Sequence, residues 1–231
     1  TLIDDTQRDW LAGRLQNSPA RWQLLGQQVM FGQLKAVGAP NSSNTDNPGG
    51  QGGVFINSDQ WDGYPRAREA IWRLIRGGQA APNVAIDNVV VLTGDIHTSW
   101  AQDITEDPNN PDAYNPDTGA GSMAVEFVGT SVTSPGSNGN PETTKAQNPA
   151  MKYVELASRG YMLLDITRER IQAEWWYVDD IETRNDQQRF AAAYFSEDGD
   201  NRVRAGASAS QERTDAPALA PVQANFNTDT A

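Results

Sequence analysis

An aspartate and the chain's one histidine stand two residues apart in Val89–Trp100, VVVLTGDIHTSW. Asp95 offers a hard carboxylate oxygen and His97 an imidazole nitrogen, a pair suited to a ligand site. Both follow an apolar, β-branched run, Val89 to Leu92, that stops at Gly94. Such a run, bounded by Asn88 and by glycine, predicts a buried strand. If the chain stays extended through Ile96, both side chains point to the same side, because strand side chains alternate. They would then converge where open α/β sheets place their ligands, at the carboxyl end of a strand. Gly94 fits a backbone turned to admit an ion or ligand. An ordinary Gly-Asp turn, with His97 hydrogen-bonded in the interior, explains the same residues.

The rest of the chain must hold this stretch in place. Its 231 residues are enough for a full core, and 38% hydrophobic residues with seven tryptophans point to a packed globule. With 18 basic against 30 acidic residues the formal charge is −12, which disfavours a nucleic-acid or anionic-membrane surface. An anionic substrate would need bound cations to reverse the local sign. Cysteine is absent, which excludes disulfides and thiolate chemistry. No apolar run reaches the length of a membrane span. The chain opens TLIDD, without methionine or a signal-peptide pattern, and reads as a processed or truncated piece.

In chain order, residues 4–16 predict a helix capped by Asp5 or Thr6, with Leu11 and Leu15 on one face and a stop at Asn17-Ser18-Pro19. Trp22–Phe31 predicts a strand that bends at Gly26, with Gln27 and Gln28 solvated or facing a site. Residues 38–53 are Gly-, Asn- and Ser-rich. No Gly-Lys-Ser/Thr follows, so a flap is expected rather than a phosphate-cradling loop. Pro65 opens a helix with Ala67, Ile71, Leu74 and Ile75 on its apolar face and Gly77-Gly78 at its end. Before it, Trp61, Asp62 and Tyr64 either line a pocket or, for Asp62, cap the helix. Residues 105–121 form a turn-rich loop. Met123–Val128 alternates as a strand around Glu126 and leads into a polar loop, GTSVTSPGSNG, beside the site. Ser131 and Ser134 lack a Gly-x-Ser-x-Gly elbow and are poor nucleophiles. Tyr161–Thr167 and Ile171–Val178 predict a hairpin, and Phe190–Phe195 pairs with Asn201–Val203 across Asp198-Gly199. The domain is expected to span residues 1–204, and residues 205–231 form an extended or disordered tail. The element mixture is α/β.

LTGDIHTSW resembles the late metal motif of the PhoD-like branch of the metallophosphoesterases, the alkaline phosphatase D family. WQLLGQQVMF, QWDGYPRAREAIW, VEFVGTSVTSPG and NPAMKYVELASRGYMLLDITRERIQAEWWYVD are similar to its other segments, in the same order, over roughly residues 5–203. The resemblance implies a two-sheet β-sandwich flanked by helices around a multinuclear metal centre. It implies hydrolysis of phosphate monoesters or diesters by a metal-activated water, with iron and calcium or other divalent ions, in a periplasmic or secreted enzyme. Asp95 is carried over as a catalytic metal ligand, and His97 as a ligand or a contact to phosphate. Trp61, Asp62 and Tyr64 match a family segment and carry no assigned role. The family's earlier motifs supply a cysteine, a Gly-Asp-x-x-Tyr-like ligand pair and further Asp, Asn and His groups, none of which is present here. The chain therefore looks like the C-terminal half of such an enzyme, and two ligands fall short of the three that even a simple catalytic zinc takes. A second polypeptide, the N-terminal half of the same precursor, is expected to supply the remainder. Two rivals stand beside this reading. One is a non-catalytic binding or structural subunit with a phosphatase-like fold. The other is a glycosidase using a carboxylate pair such as Asp95 and Glu126.

Overall fold

The computed structural model describes residues 2–36, 54–78, 84–183, 185–206, 208–212 and 214–215. The flap expected at 38–53 lies outside the described residues, as does the tail beyond 215. Two sheets face each other, and helices cover the outer face of the larger one.

The five-stranded sheet contains β1 (Gln23–Gly26), β4 (Val89–Thr93), β6 (Ala124–Val128), β5 (Ser99–Ile104) and β7 (Met151–Glu155), in that spatial order. Strands β1, β4 and β6 run parallel, and β5 is antiparallel to its neighbours β6 and β7. The second sheet is antiparallel, in the order β11 (Arg204–Gly206), β10 (Gln188–Glu197), β9 (Arg170–Val178), β8 (Gly160–Ile166). A short ribbon, β2 (Lys35–Ala36) with β3 (Val54–Phe55), lies apart.

The uninterrupted apolar run of β4 has a simple cause: both its faces are buried. Val89 and Val91 pack with Phe31, Trp61, Ile71 and Ile75 on the helical side. Val90 faces Ile171, Ala173, Trp175 and Tyr177 of the second sheet. The Trp175 indole N–H crosses between the sheets to donate to the Val128 carbonyl, 2.9 Å away.

Helix α1 (Asp5–Asn17) is capped by Asp4, not by Asp5 or Thr6. Asp4 keeps an extended backbone, and its carboxylate accepts the Gln7 N–H at 2.7 Å. Helix α2 (Pro65–Ile75) buries Ile71, Leu74 and Ile75, and ends where Gly77 takes a φ of +83°. A short helix α3 (Pro141–Gln147), capped by Asn140, precedes β7.

The strand expected over Trp22–Phe31 stops at Gly26. Glu126, on the helical face of β6, pulls the following segment away from the sheet. Its carboxylate accepts the N–H groups of Phe31 and Gly32, both at 2.8 Å. A Cβ at position 32 would meet the Gln102 side-chain amide at 2.3 Å, so a larger residue there has to displace that amide from Glu126.

At the other end, β11 crosses the boundary expected at residue 204, and Arg204–Gly206, not Asn201–Val203, pairs with β10. Ser208 and Ser210 continue across β9. Glu174 is 1% exposed and accepts from the Ser210 N–H and hydroxyl, the Gln172 amide and the Trp176 indole. Burial pushes its carboxyl up, but these donors outweigh burial and hold it below the usual range. A depressed carboxylate contributes stability above its unfolded pKa and loses it as pH falls through the folded one. Ser210→Ala is therefore expected to cost about 1.5 kcal/mol at neutral pH, the scale of a hydrogen bond to a charged group. In urea melts the difference from the parent should shrink as the pH is lowered through the carboxylate range. A pH-independent difference would assign Ser210 a packing role instead.

Candidate active site

The parallel strands β1, β4 and β6 end at one edge of the sheet, and a glycine follows or closes each: Gly26, Gly94 and Gly129. β7 ends at the same edge, since Glu155 is in register with Ser99, the first residue of β5. Added Cβ atoms at Gly26 and Gly94 would meet nothing within 4 Å. Among the described residues, both backbones are open to close approach by another group.

The chain does not stay extended between β4 and β5. Asp95 and His97 adopt φ values of +70° and +60°, and the Ile96 N–H closes a tight turn onto the Gly94 carbonyl at 2.9 Å. Gly94, the residue expected to carry the unusual backbone, has no left-handed φ. Asp95 and His97 are nevertheless both exposed, while Ile96 between them packs onto Met30, Leu34, Trp100 and Val128. Half-buried Ile96 thus anchors a turn that presents one carboxylate and one imidazole outward. Left-handed backbone at non-glycine residues is uncommon, and it clusters at functional sites when the surroundings enforce it. The bland reading of His97 as an interior, hydrogen-bonded histidine does not hold.

The polar loop after β6 lies beside this turn as expected. The Thr130 hydroxyl is 3.2 Å from the His97 carbonyl and 2.8 Å from that of Ser158. The Gly129 N–H donates to the Thr93 carbonyl at 2.9 Å. Ser131 spends its hydroxyl on the Ser134 carbonyl at 2.6 Å. Nothing in the sequence beyond the loop's polarity pointed to Thr130.

The other sequence candidates have structural partners. Glu126 is 0% exposed. Besides the two backbone N–H groups it accepts the Thr93 hydroxyl at 2.7 Å and the Gln102 amide at 2.6 Å. Burial pushes its carboxyl up, and these four donors oppose the shift. A carboxylate so enclosed has no path to a sugar, which removes the Asp95–Glu126 glycosidase pair. Asp62 does not cap α2, whose N-cap is Tyr64 without a side-chain bond. It forms a buried ion pair with Arg68 and accepts the Leu34 N–H at 3.1 Å. Trp61 packs edge-on against Phe31 and donates its indole N–H to Gln27 at 2.6 Å, so Gln27 is half-buried and held by Trp61. Trp61, Gln27 and Gln28 do line a cleft of about 290 Å³ between α1 and β1, with Leu2, Trp10 and Leu24.

An oxygen and a nitrogen donor fit part of a site for iron or a divalent ion. Among the described residues, no three His, Cys, Asp or Glu side chains are grouped to hold a metal. No helix among them is long and apolar enough to cross a membrane.

Residues 1–175 match the family described as PhoD-like phosphatase. The chain is 31% identical over 179 residues to alkaline phosphatase D of Bacillus subtilis (strain 168), across 76% of this chain and 26% of that protein. A solved structure of PhoD superposes with a TM-score of 0.70 at 26% identity, covering 90% of this chain and 36% of that one. The chain therefore spans only about a quarter to a third of the length of these relatives.

Proposed function

This chain belongs to the PhoD-like phosphatase family, and on that footing we propose that it is one part of a metal-dependent hydrolase of phosphate monoesters or diesters. The observation that carries the reading is the Asp95-Ile96-His97 turn. It is exposed and left-handed, and it sits where three parallel strands end in glycine. Asp95 would hold an ion through its carboxylate. His97 would complete a coordination sphere or orient the phosphate. A bound ion supplies Lewis acidity and a water of lowered pKa. The chain's own contribution is to fix both donors: Ile96, half-buried, packs into the apolar cluster beneath the turn, and Glu126 clamps the Phe31–Gly32 segment that crosses the same sheet. By family resemblance alone, the ions are iron with calcium or another divalent metal. Export to the periplasm or out of the cell belongs to the same proposal and rests on the same ground.

Two donors are too few for a tight catalytic site. The remaining ligands are therefore assigned to a second polypeptide, the N-terminal half of the same precursor. Two observations support this. The matched relatives are about three to four times longer than the aligned region. Strand β1 is the last of its sheet among the described residues, and Leu24 and Trp10 beside it are 43% and 59% exposed. An open edge of this kind is a template for another strand. A strand added parallel to β1 would end beside Gly26, on the edge that carries Asp95.

The test is hydrolysis of p-nitrophenyl phosphate by this chain refolded alone with metals, and then with the N-terminal half, with and without chelator. The expected result is little activity alone, and chelator-sensitive activity on assembly. Full activity from the isolated chain would defeat the two-part arrangement. The absence of a three-ligand cluster among the described residues also favours a second reading, a non-catalytic binding or structural subunit. That subunit would stay inactive in the assembly.

A further inference from the structure

We propose that Thr130 is a positioning residue for His97; this rests on the reading of His97 as a ligand or phosphate contact. The turn that carries His97 has little to hold it in a left-handed conformation. Within it, the Ile96 N–H bonds to the Gly94 carbonyl at 2.9 Å. The Thr98 hydroxyl reaches back to the Ile96 carbonyl only at 3.5 Å, and is itself the acceptor of the Trp100 indole N–H at 2.6 Å. A conformation of this kind persists only where the surroundings enforce it.

Those surroundings act at two points. One is the Ile96 side chain in its apolar cluster. The other is the Thr130 hydroxyl at 3.2 Å from the His97 carbonyl. Among the described residues it is the one side-chain hydrogen bond that reaches residues 94–97 from another element. The neighbours of Thr130 are themselves fixed. The Gly129 N–H is tied to the last residue of β4, and the Ser131 carbonyl accepts the N–H of Gly160, the first residue of β8, at 2.9 Å. A hydroxyl has one proton to donate. Thr130 therefore shares it between the carbonyls of His97 and Ser158, and joins the turn to the β7–β8 connection. Without that proton the His97 carbonyl is released, and residue 97 is free to leave its positive φ and carry the imidazole off its line.

Thr130→Val keeps the branched shape and removes the proton, and Thr130→Ser keeps the proton. Both are to be compared in the native assembly, with His97→Asn and the double variant, using p-nitrophenyl phosphate. Asparagine tolerates positive φ, so the turn survives that change. Thr130→Val is expected to lower kcat about tenfold, roughly the scale of one directed hydrogen bond. Thr130→Ser should stay within about twofold, and in the His97→Asn background Thr130→Val should add nothing. An unchanged kcat in Thr130→Val, or the same loss with and without His97, overturns the positioning role and leaves the reading of His97 standing. Full activity in His97→Asn overturns both.

Discussion

Replacing Asp95 with asparagine is expected to remove activity and bound metal together, and to leave the fold intact. Asparagine keeps the size and one oxygen of aspartate but loses the charge that holds a hard cation. It is also among the residues that tolerate the left-handed backbone of Asp95, φ +70°, so the turn gains no strain. Asp95 is exposed, so no buried network is broken. Groups that merely orient a metal ligand cost about 10- to 100-fold when removed. Loss of the ligand itself should therefore lower kcat/KM by about a hundredfold or more. Steady-state kinetics on the assembled protein, metal analysis and a thermal melt check the three parts. Activity and metal retained in Asp95→Asn would mean that Asp95 is not a ligand and that the site lies elsewhere. A large fall in melting temperature would make Asp95 a structural residue.

Glu126 gives the opposite pattern, a large effect on stability. Its substitution by leucine leaves four buried donors without an acceptor: the Phe31 and Gly32 N–H groups, the Thr93 hydroxyl and the Gln102 amide. Each orphaned donor costs about 1–3 kcal/mol, so a total of roughly 4 kcal/mol or more is expected. That is a large share of the roughly 5–15 kcal/mol that holds a domain together. In a chain of this size it corresponds to a fall of about 8–16 °C in melting temperature. Glu126→Gln should fall between. Its Oε1 position serves Phe31 and Thr93, and Oε2 serves Gly32 and Gln102, so turning either into an amide loses one backbone bond, while the Thr93 hydroxyl or a flipped Gln102 amide can accept from the new N–H. Urea and thermal unfolding measure both variants. If Glu126→Gln kept the parent melting temperature but lost activity, Glu126 would be a chemical group and its structural role would be wrong.

These two carboxylates also show what could be read from the chain. Strand β4 was legible because burial on both faces writes itself as Val89-Val90-Val91-Leu92. The β8–β9 hairpin was legible to within a residue because Tyr161–Thr167 and Ile171–Val178 are rich in apolar and aromatic residues around a polar turn. Strand β5 was not, because Ser99, Gln102 and Asp103 interrupt any apolar pattern and yet are buried. Asp103, for instance, accepts the Tyr114 hydroxyl and the Val203 N–H, both at 2.6 Å, the latter from a partner a hundred positions away. The end of β1 was misplaced for the same reason, since what stops it is Glu126, about a hundred positions later. At the site, residue types named the chemistry but not its geometry. Alternation along a strand put Asp95 and His97 on one side. The structure presents them from a turn, whose conformation depends on Ile96 packing and on Thr130.

The most direct test of the central claim is anomalous diffraction at metal absorption edges on crystals of the native assembly. The account predicts an ion within about 2.0–2.6 Å of the Asp95 carboxylate. It also predicts that ligands from the N-terminal polypeptide share that ion. A fully active assembly whose metal lies away from the Asp95–His97 turn would contradict it.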